Sequence, residues 1–268
     1  MRALFAVLAL LMLCTPAAVA GPDPAPVEAQ AARYDTDSTR GQALEEVDRL
    51  LDHGKYQDAV ARLEDLVVEY PEDVEFAWRL GKAWVDIGEV RAETGTDEEE
   101  REAYRKGVEQ LREARGIDPE HRDATFNLAI AIGRYSLTGS NGDKVRGSRE
   151  VKELAEKTIE IDPDFDGAYH LLGRWHREVA SMGFFTKALV EVVYGGFPDA
   201  SFEQALEYFR KAYALRPLMA HRLEIGICLE ELGRDEEAEE VFRSVVEMES
   251  DHVDAWLMRA EAQRRLSS

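Results

Sequence analysis

Basic and aromatic side chains recur at intervals through the middle of a chain that is otherwise strongly acidic. The 268 residues carry 33 Lys and Arg against 54 Asp and Glu, a formal net charge of −21 at pH 7. The guanidinium fork of Arg binds carboxylate and phosphate groups, and aromatic rings provide apolar anchors in interfaces. These residue types predict a binding site for a protein or peptide, and a carboxylate or other anionic group on that partner would suit the basic side chains. The predicted site residues are Trp78, Lys82, Phe126, Asn127, Arg134, His170, Arg174 and Arg177.

The same cations have a second interpretation. Arg174 and Arg177 are close in sequence to Glu178, and Lys82 is four residues before Asp86. Oppositely charged residues at such spacings can pair along a helix and form a solvated face with no ligand. Both interpretations remain open at this level.

Other chemistry-bearing patterns are incomplete. Residues 162–167 imitate the start of a calcium loop, but Gly173 stands where the closing acid should be. Residues 139–144 are glycine-rich but lack the Gly-Lys-Ser/Thr ending of a phosphate loop. His170 and His176 are six residues apart, whereas zinc pairs on a helix are spaced by about three or four. We therefore expect no metal, no cofactor and no enzymatic activity.

The elements that position the predicted site are helices that repeat. Apolar or small residues followed by a proline recur in steps of 4, 3 and 5, which place them on one helical face and end the helix. The pattern includes Ala59, Leu63, Leu66 and Pro71, and it returns in the runs that begin at Gly107, Val151 and Ala205, and at Ala238 with Ser250 in place of proline. A small residue also recurs in the preceding helices, at Gly81, Ala129, Gly173 and Gly226, and allows two helices to approach closely.

These positions resemble the tetratricopeptide repeat, whose signature is matched by Gly54-x-Tyr56-x-x-Ala59 and by Gly233 with Ala238. The resemblance implies an all-α, right-handed α-solenoid of about five helix pairs over residues 40–268, with a capping helix from Val253 to Leu266. The middle units are longer than the usual repeat, so elongated or inserted elements are expected there, with helices near 74–93 and 97–115. In such a fold the eight predicted site residues line the concave groove.

One apolar segment fits no ordinary loop. It ends at residue 198 and contains Phe184, Phe185, Val193 and Tyr194. It is interpreted either as a helix that covers the enlarged fourth unit, or as a hydrophobic lid or a site for a lipid or a partner helix.

A narrower resemblance rests on residues 76–83 (Phe-Ala-Trp-Arg-Leu-Gly-Lys-Ala), residues 169–175, residues 197–201 and residues 203–206. These runs are similar to segments of the regulator of microtubule dynamics family, over about residues 70–248. Eukaryotic members of that family are associated with microtubules and with organelle membranes, and the resemblance implies such a setting.

The first twenty residues have the pattern of a secretory signal peptide: Arg2, an apolar run over residues 3–13, and Ala18-Val19-Ala20 before Gly21. Residues 21–39 are rich in Pro and Ala and are expected to be a flexible linker. The predicted protein is thus exported, periplasmic or secreted, with no transmembrane segment. Its negative charge disfavours nucleic acid. The predicted function is a non-enzymatic binding scaffold, and the alternative is a carrier of a lipid or small anionic ligand held between the groove and residues 182–198.

Overall fold

The computed structural model describes residue 35, residues 38–250 and residues 255–267; of residues 184, 185 and 189 it describes the backbone only. The predicted signal peptide over residues 1–20 and nearly all of the predicted linker lie outside the described residues. The described part forms twelve helices and contains no strand. They are α1 Thr39–Asp52, α2 Tyr56–Glu69, α3 Val74–Thr94, α4 Asp97–Ile117, α5 Arg122–Leu137, α6 Asn141–Ile161, α7 Asp166–Ser181, α8 Phe184–Tyr194, α9 Phe202–Leu215, α10 Met219–Glu231, α11 Asp235–Glu247 and α12 Ala255–Leu266.

Side-chain caps fix several helix starts. The Thr96 hydroxyl accepts from the Glu99 backbone N–H, and the Glu99 carboxylate accepts from the Thr96 backbone N–H, which completes a capping box. Ser201 caps α9 by accepting from the Gln204 N–H at 3.1 Å. The predicted helices near 74–93 and 97–115 are confirmed, with ends at Thr94 and Ile117.

The described helices divide into two compact units, with the boundary between Leu154 and Ala155 in α6. In the N-terminal unit each of α1 to α4 packs against the next helix in the chain, and α1 and α5 also contact α3. Its core contains Leu44, Leu63, Leu66 and Phe76, which have almost no exposed surface. This succession of packed helix pairs is the tetratricopeptide arrangement expected from the repeats.

The C-terminal unit repeats that arrangement. α7 packs against α9, α9 against α10, α10 against α11, and α12 contacts both α10 and α11. Phe209, Leu229, Phe242 and Val245 form the centre of its core. The predictions of an all-α tetratricopeptide-type fold and of a final helix are confirmed, with α12 described from Ala255 onward.

The enlarged middle units acquire their extra length in two ways. α3, α4 and α6 each have 21 residues, compared with 14 in α1 and α2, and only residues 95 and 96 separate α3 from α4. In the fourth pair, α7 and α9 keep ordinary lengths and the additional residues form α8. α8 ends at Tyr194 and is followed by Gly195 and Gly196, whose φ values of 76° and 74° only glycine adopts without strain.

The apolar segment is therefore a helix. That it covers the enlarged fourth unit stays a prediction. Val190 is buried, whereas Val192 and Val193 are 86% and 55% exposed. The side chains of Phe184 and Phe185 lie outside the described residues, and Tyr194 is half-buried. The lid remains a prediction.

Glycines set the closest helix contacts within each unit. A Cβ at Gly81 would lie 2.5 Å from Leu111 Cγ and 3.0 Å from the Leu111 backbone nitrogen. A Cβ at Gly226 would lie 2.5 Å from Phe242 Cε1. These distances are too short for carbon atoms, so the small residues expected from the repeats are required by packing. None of the described helices has the length and apolar character needed to cross a membrane.

We predict that Gly81→Ala lowers the free energy of unfolding by about 1–3 kcal/mol, because the methyl group overpacks the α3–α4 contact. Gly116→Ala is the matched control on α4, since nothing lies within 4 Å of the new Cβ. It should raise the free energy of unfolding by about 0.4–1 kcal/mol. Urea denaturation measures both. Equal stability of Gly81→Ala and the unsubstituted protein would contradict the packing argument.

Candidate functional site

In the N-terminal unit, the carboxylate of Glu75 on α3 collects three donors. It accepts from Trp78 Nε1 at 2.9 Å, from His121 Nε2 at 3.2 Å and from the guanidinium of Arg79. Arg79 is 4% exposed and also donates from Nε to Asp48 Oδ1 at 2.7 Å. Burial of Glu75 raises its pKa, but hydrogen bonds from His121, Arg79 and Trp78 outweigh burial and hold the pKa well below its usual range. Trp78 is thus anchored by an acid on its own helix.

The ring of His121 has a defined protonation pattern. Its Nδ1 accepts from the Ala124 backbone N–H at 3.2 Å and so caps α5, which leaves the proton on Nε2 to be donated to Glu75. His121 therefore joins the start of α5 to α3.

Lys82 and Arg134 both have a counter-ion in the same unit. Lys82 Nζ lies 2.7 Å from Asp86 Oδ2, and Arg134 Nε lies 2.6 Å from Glu89 Oε1. Burial lowers the pKa of Lys82, but attraction to Asp86 outweighs burial and the pKa is raised. For Glu89 burial dominates, and its pKa is raised despite the neighbouring Arg134.

Phe126 and Asn127 differ in their accessibility. Phe126 is only 5% exposed and forms part of the core. Asn127 is half-buried, and its Nδ2 donates to the Asp123 carbonyl oxygen at 2.8 Å. A partner could reach Asn127 more readily than Phe126.

In the C-terminal unit, Arg174 and Arg177 on α7 share one carboxylate of α10. Arg174 Nη1 lies 3.3 Å from Glu224 Oε1, and Arg177 Nε lies 3.2 Å from Glu224 Oε2. Arg177 also pairs with Glu178 on its own helix. Arg174, Glu178 and Glu224 are all buried. Burial raises the pKa of Glu178, although both arginines act in the opposite direction.

α12 adds another cation to this cluster. Arg265 pairs with Glu230 of α10 and lies 2.8 Å from Glu261 of α12. Burial, followed by repulsion from Arg177, lowers the pKa of Arg265. Charged groups of α10 and α12 are therefore paired, and Arg177 of α7 acts on Arg265 through repulsion.

His170 lies on α7 one turn before Arg174 and is 1% exposed. Its Nδ1 is 2.9 Å from Nδ1 of His221 on α10, and His221 Nε2 is 2.9 Å from Asp166 Oδ2. The ring of Phe209 meets His170 edge-on, with the centroids 5.3 Å apart. Burial lowers the pKa of His170 well below its ordinary value, and the neighbouring His221, Arg174 and Arg177 act in the same direction.

The predicted residues thus fall into two sets. Trp78, Lys82, Phe126, Asn127 and Arg134 belong to the N-terminal unit, and His170, Arg174 and Arg177 to the C-terminal unit. Each of the four predicted cations pairs with an acid of the chain, as the second interpretation expected. Arg174 and Glu224 are buried, whereas Lys82, Arg134 and Arg177 are half-buried. Whether these residues bind a partner remains a prediction.

Sequence reasoning missed the residues that complete these clusters, including Glu75, Arg79, His221 and Glu224. One signal was available: His221, Glu224 and Cys228 are spaced by three and four residues on α10 and share one helical face. A second missed feature is Asp166, which lies four residues before His170 on the same face of α7.

The structure also contains a cleft that no sequence motif predicts. It has a volume of about 870 Å³ and lies between α2, the second half of α3 and the first half of α4. Val60, Trp84, Ile87 and Ala103 provide its apolar lining, and Lys106 Nζ lies 4.0 Å from the Trp84 ring centroid. Since α3 and α4 are seven residues longer than α2, α2 leaves part of them uncovered.

Cys228 is fully buried, as expected of a small core residue, and burial raises the pKa of its thiol. In the described part of the chain, no three His, Cys, Asp or Glu side chains are grouped so that they could hold a metal ion.

Known proteins are similar in sequence to most of this chain. The family described as regulator of microtubule dynamics protein 1-3 matches residues 43–268. Regulator of microtubule dynamics protein 1 of Bos taurus is 29% identical over 179 residues, which cover 66% of this chain and 54% of that protein. Regulator of microtubule dynamics protein 3 of Rattus norvegicus is 28% identical over 222 residues, which cover 78% of this chain and 46% of that protein. The chain spans about half the length of these curated relatives.

Two solved structures share the fold. A thermophilic TPR protein of Thermus thermophilus matches with a TM-score of 0.58 and 15% identity over 83% of this chain and 98% of its own. MamA 41-end from Desulfovibrio magneticus RS-1 matches with a TM-score of 0.51 and 16% identity over 85% and 96%. The tetratricopeptide-type fold expected from the repeats is confirmed. Because the family match extends over most of the sequence, the chain belongs to the regulator of microtubule dynamics protein 1-3 family.

Proposed function

We propose that this protein is a non-enzymatic scaffold that binds a protein or peptide. The observation that carries the proposal is the tetratricopeptide-type stacking of helix pairs in a member of this family. Stacked helix pairs present long surfaces with side chains at fixed positions, which suits recognition of another chain. Both the fold and the family are typically non-catalytic.

The proposed binding face includes the accessible members of the predicted set. Trp78, Lys82 and Asn127 are half-buried, so part of each side chain can contact a partner. Lys82 and Arg134 already pair with Asp86 and Glu89. A carboxylate or other anionic group on the partner would therefore have to compete with these acids, so the proposed recognition relies on shape and apolar contact as well as charge.

We predict that a photo-crosslinking residue at position 127 captures a specific partner in the native host. Binding of that purified partner should weaken about tenfold in Lys82→Ala and in Asn127→Ala, which corresponds to about 1.4 kcal/mol. Isothermal titration calorimetry measures the affinities.

Two variants on α2 complete the design. Ala61→Glu places a carboxylate in the cleft between α2, α3 and α4, whereas Val68 is 80% exposed, does not line the cleft and makes Val68→Glu the control. Loss of binding in Ala61→Glu alone would show that the partner binds at the cleft rather than at the proposed binding face. Unchanged affinity in all four variants would reject both surfaces.

The second candidate function is a carrier of a lipid or small anionic ligand. The exposed Val192 and Val193 on α8 favour it, because adjacent exposed apolar side chains suit an apolar ligand. If the protein is a carrier, native mass spectrometry of protein purified without detergent should show an added mass that organic extraction removes. A single apo mass, together with a captured partner, would favour the scaffold.

We also propose that the protein is exported, on the strength of the apolar run over residues 3–13 and the small residues that precede Gly21. The intact mass of protein from the native host should correspond to a chain that begins at Gly21. Blocking the cleavage site by Ala20→Pro should leave the longer form. Recovery of the unsubstituted protein with residues 1–20 attached would contradict export by cleavage.

A further inference from the structure

The inner contact between α7 and α10 contains an unusual hydrogen bond between two buried histidines. His170 and His221 are 1% and 2% exposed, and their Nδ1 atoms are 2.9 Å apart. A hydrogen bond between two ring nitrogens requires one proton between them, since one nitrogen must donate and the other must accept. The contact can therefore hold one proton but not two.

The second nitrogen of His221 has its proton assigned by its neighbour. His221 Nε2 lies 2.9 Å from Asp166 Oδ2, and an ionised carboxylate can only accept. His221 Nε2 thus carries a proton and donates it to Asp166. Of the four ring nitrogens in the pair, only His170 Nε2 has its protonation undetermined.

His170 Nε2 is buried and has no hydrogen-bond partner among the described residues. If the pair takes up one more proton while the Nδ1–Nδ1 bond stays intact, that proton must reside on His170 Nε2. The result would be a buried N–H without an acceptor and a positive charge inside the unit. A buried donor without an acceptor destabilises the folded state, and the effect is larger when the group is charged.

The surrounding charges make the additional proton more unfavourable. Burial lowers the pKa of His170, and His221, Arg174 and Arg177 lower it further. α9 contributes the uncharged ring of Phe209. The acids that face this region are Asp166, which accepts from His221, and Glu178 and Glu224, which pair with the arginines.

We propose that the His170–His221 contact is an acid-sensitive clamp between α7 and α10. At neutral pH the clamp is closed by the single shared proton. Uptake of one more proton breaks the Nδ1–Nδ1 bond, because the protonated His170 has to turn toward water or a new acceptor. α7 and α10 then separate locally, and the arginines that share Glu224 become accessible. The inference is independent of what the protein binds.

The direction of the pH effect follows from linkage. The pKa of His170 is lowered in the folded state, whereas in the unfolded state it is about 6.5. The contribution of the neutral His170 to stability is therefore fully present above about pH 6.5 and is lost as the pH falls below that value. Unfolding then takes up one proton, so the unfolding equilibrium constant rises by up to tenfold per pH unit.

His170→Asn provides the test, because the side-chain amide can donate from nearly the same position as Nδ1 but does not titrate. We divide the unfolding equilibrium constant of the unsubstituted protein by that of His170→Asn. This ratio should rise about thirtyfold when the pH is lowered from 7.5 to 5.0. Urea titrations at each pH measure this ratio. The exposed His53 gives the control His53→Asn, which should follow the unsubstituted protein. A ratio that stays constant over this range would overturn the clamp.

A second measurement covers the case in which His170→Asn does not fold. In nitrogen NMR spectra of the unsubstituted protein, His170 Nε2 should remain unprotonated as the pH falls below 6.5, until the resonances of α7 and α10 lose their native positions together. Protonation of Nε2 near pH 6.5, with both helices unchanged, would overturn the proposal.

Discussion

Close approach of paired helices at glycine is the constraint on which both units depend. At Gly81 the backbone of α3 lies against Leu111 of α4, and at Gly226 the backbone of α10 lies against Phe242 of α11. Gly173 plays the same part beside Phe209. A side chain at any of these positions would push a buried ring or leucine out of place. Since cores pack at nearly crystalline density, a shift at one contact is felt at the next helix.

The second constraint is charge. A chain of net charge −21 keeps its central arginines inside networks of its own acids, as Arg79 does with Asp48 and Glu75 and Arg174 does with Glu224. A buried ion pair contributes little net stability, but the loss of one partner leaves a charge without compensation. These networks therefore fix which faces of the helices meet. They also mean that an anionic partner has to compete with acids of the chain itself.

Helix length connects the fold with the proposed function. Extension of α3 and α4 beyond α2 leaves the cleft around Trp84, and the insertion of α8 leaves Val192 and Val193 exposed. Both features arise where the chain departs from the regular repeat. Both departures leave side chains accessible beyond the stacked helix pairs. The family match includes these segments, although the chain spans about half the length of the relatives.

The sequence by itself determined the helices, because the residues that form a helix lie within a few turns of one another. The repeat also marked the small residues at positions such as Gly226, although the contact that requires glycine there lies on the next helix. The sequence also selected His170 and Arg174 as functional candidates, but not His221 and Glu224, the residues on α10 that they contact. Glu224 is 50 residues away from Arg174, and His221 is 51 residues away from His170. Only the tertiary structure decides which charges meet and which are shielded from water, since attraction and desolvation depend on distance and burial rather than on residue type.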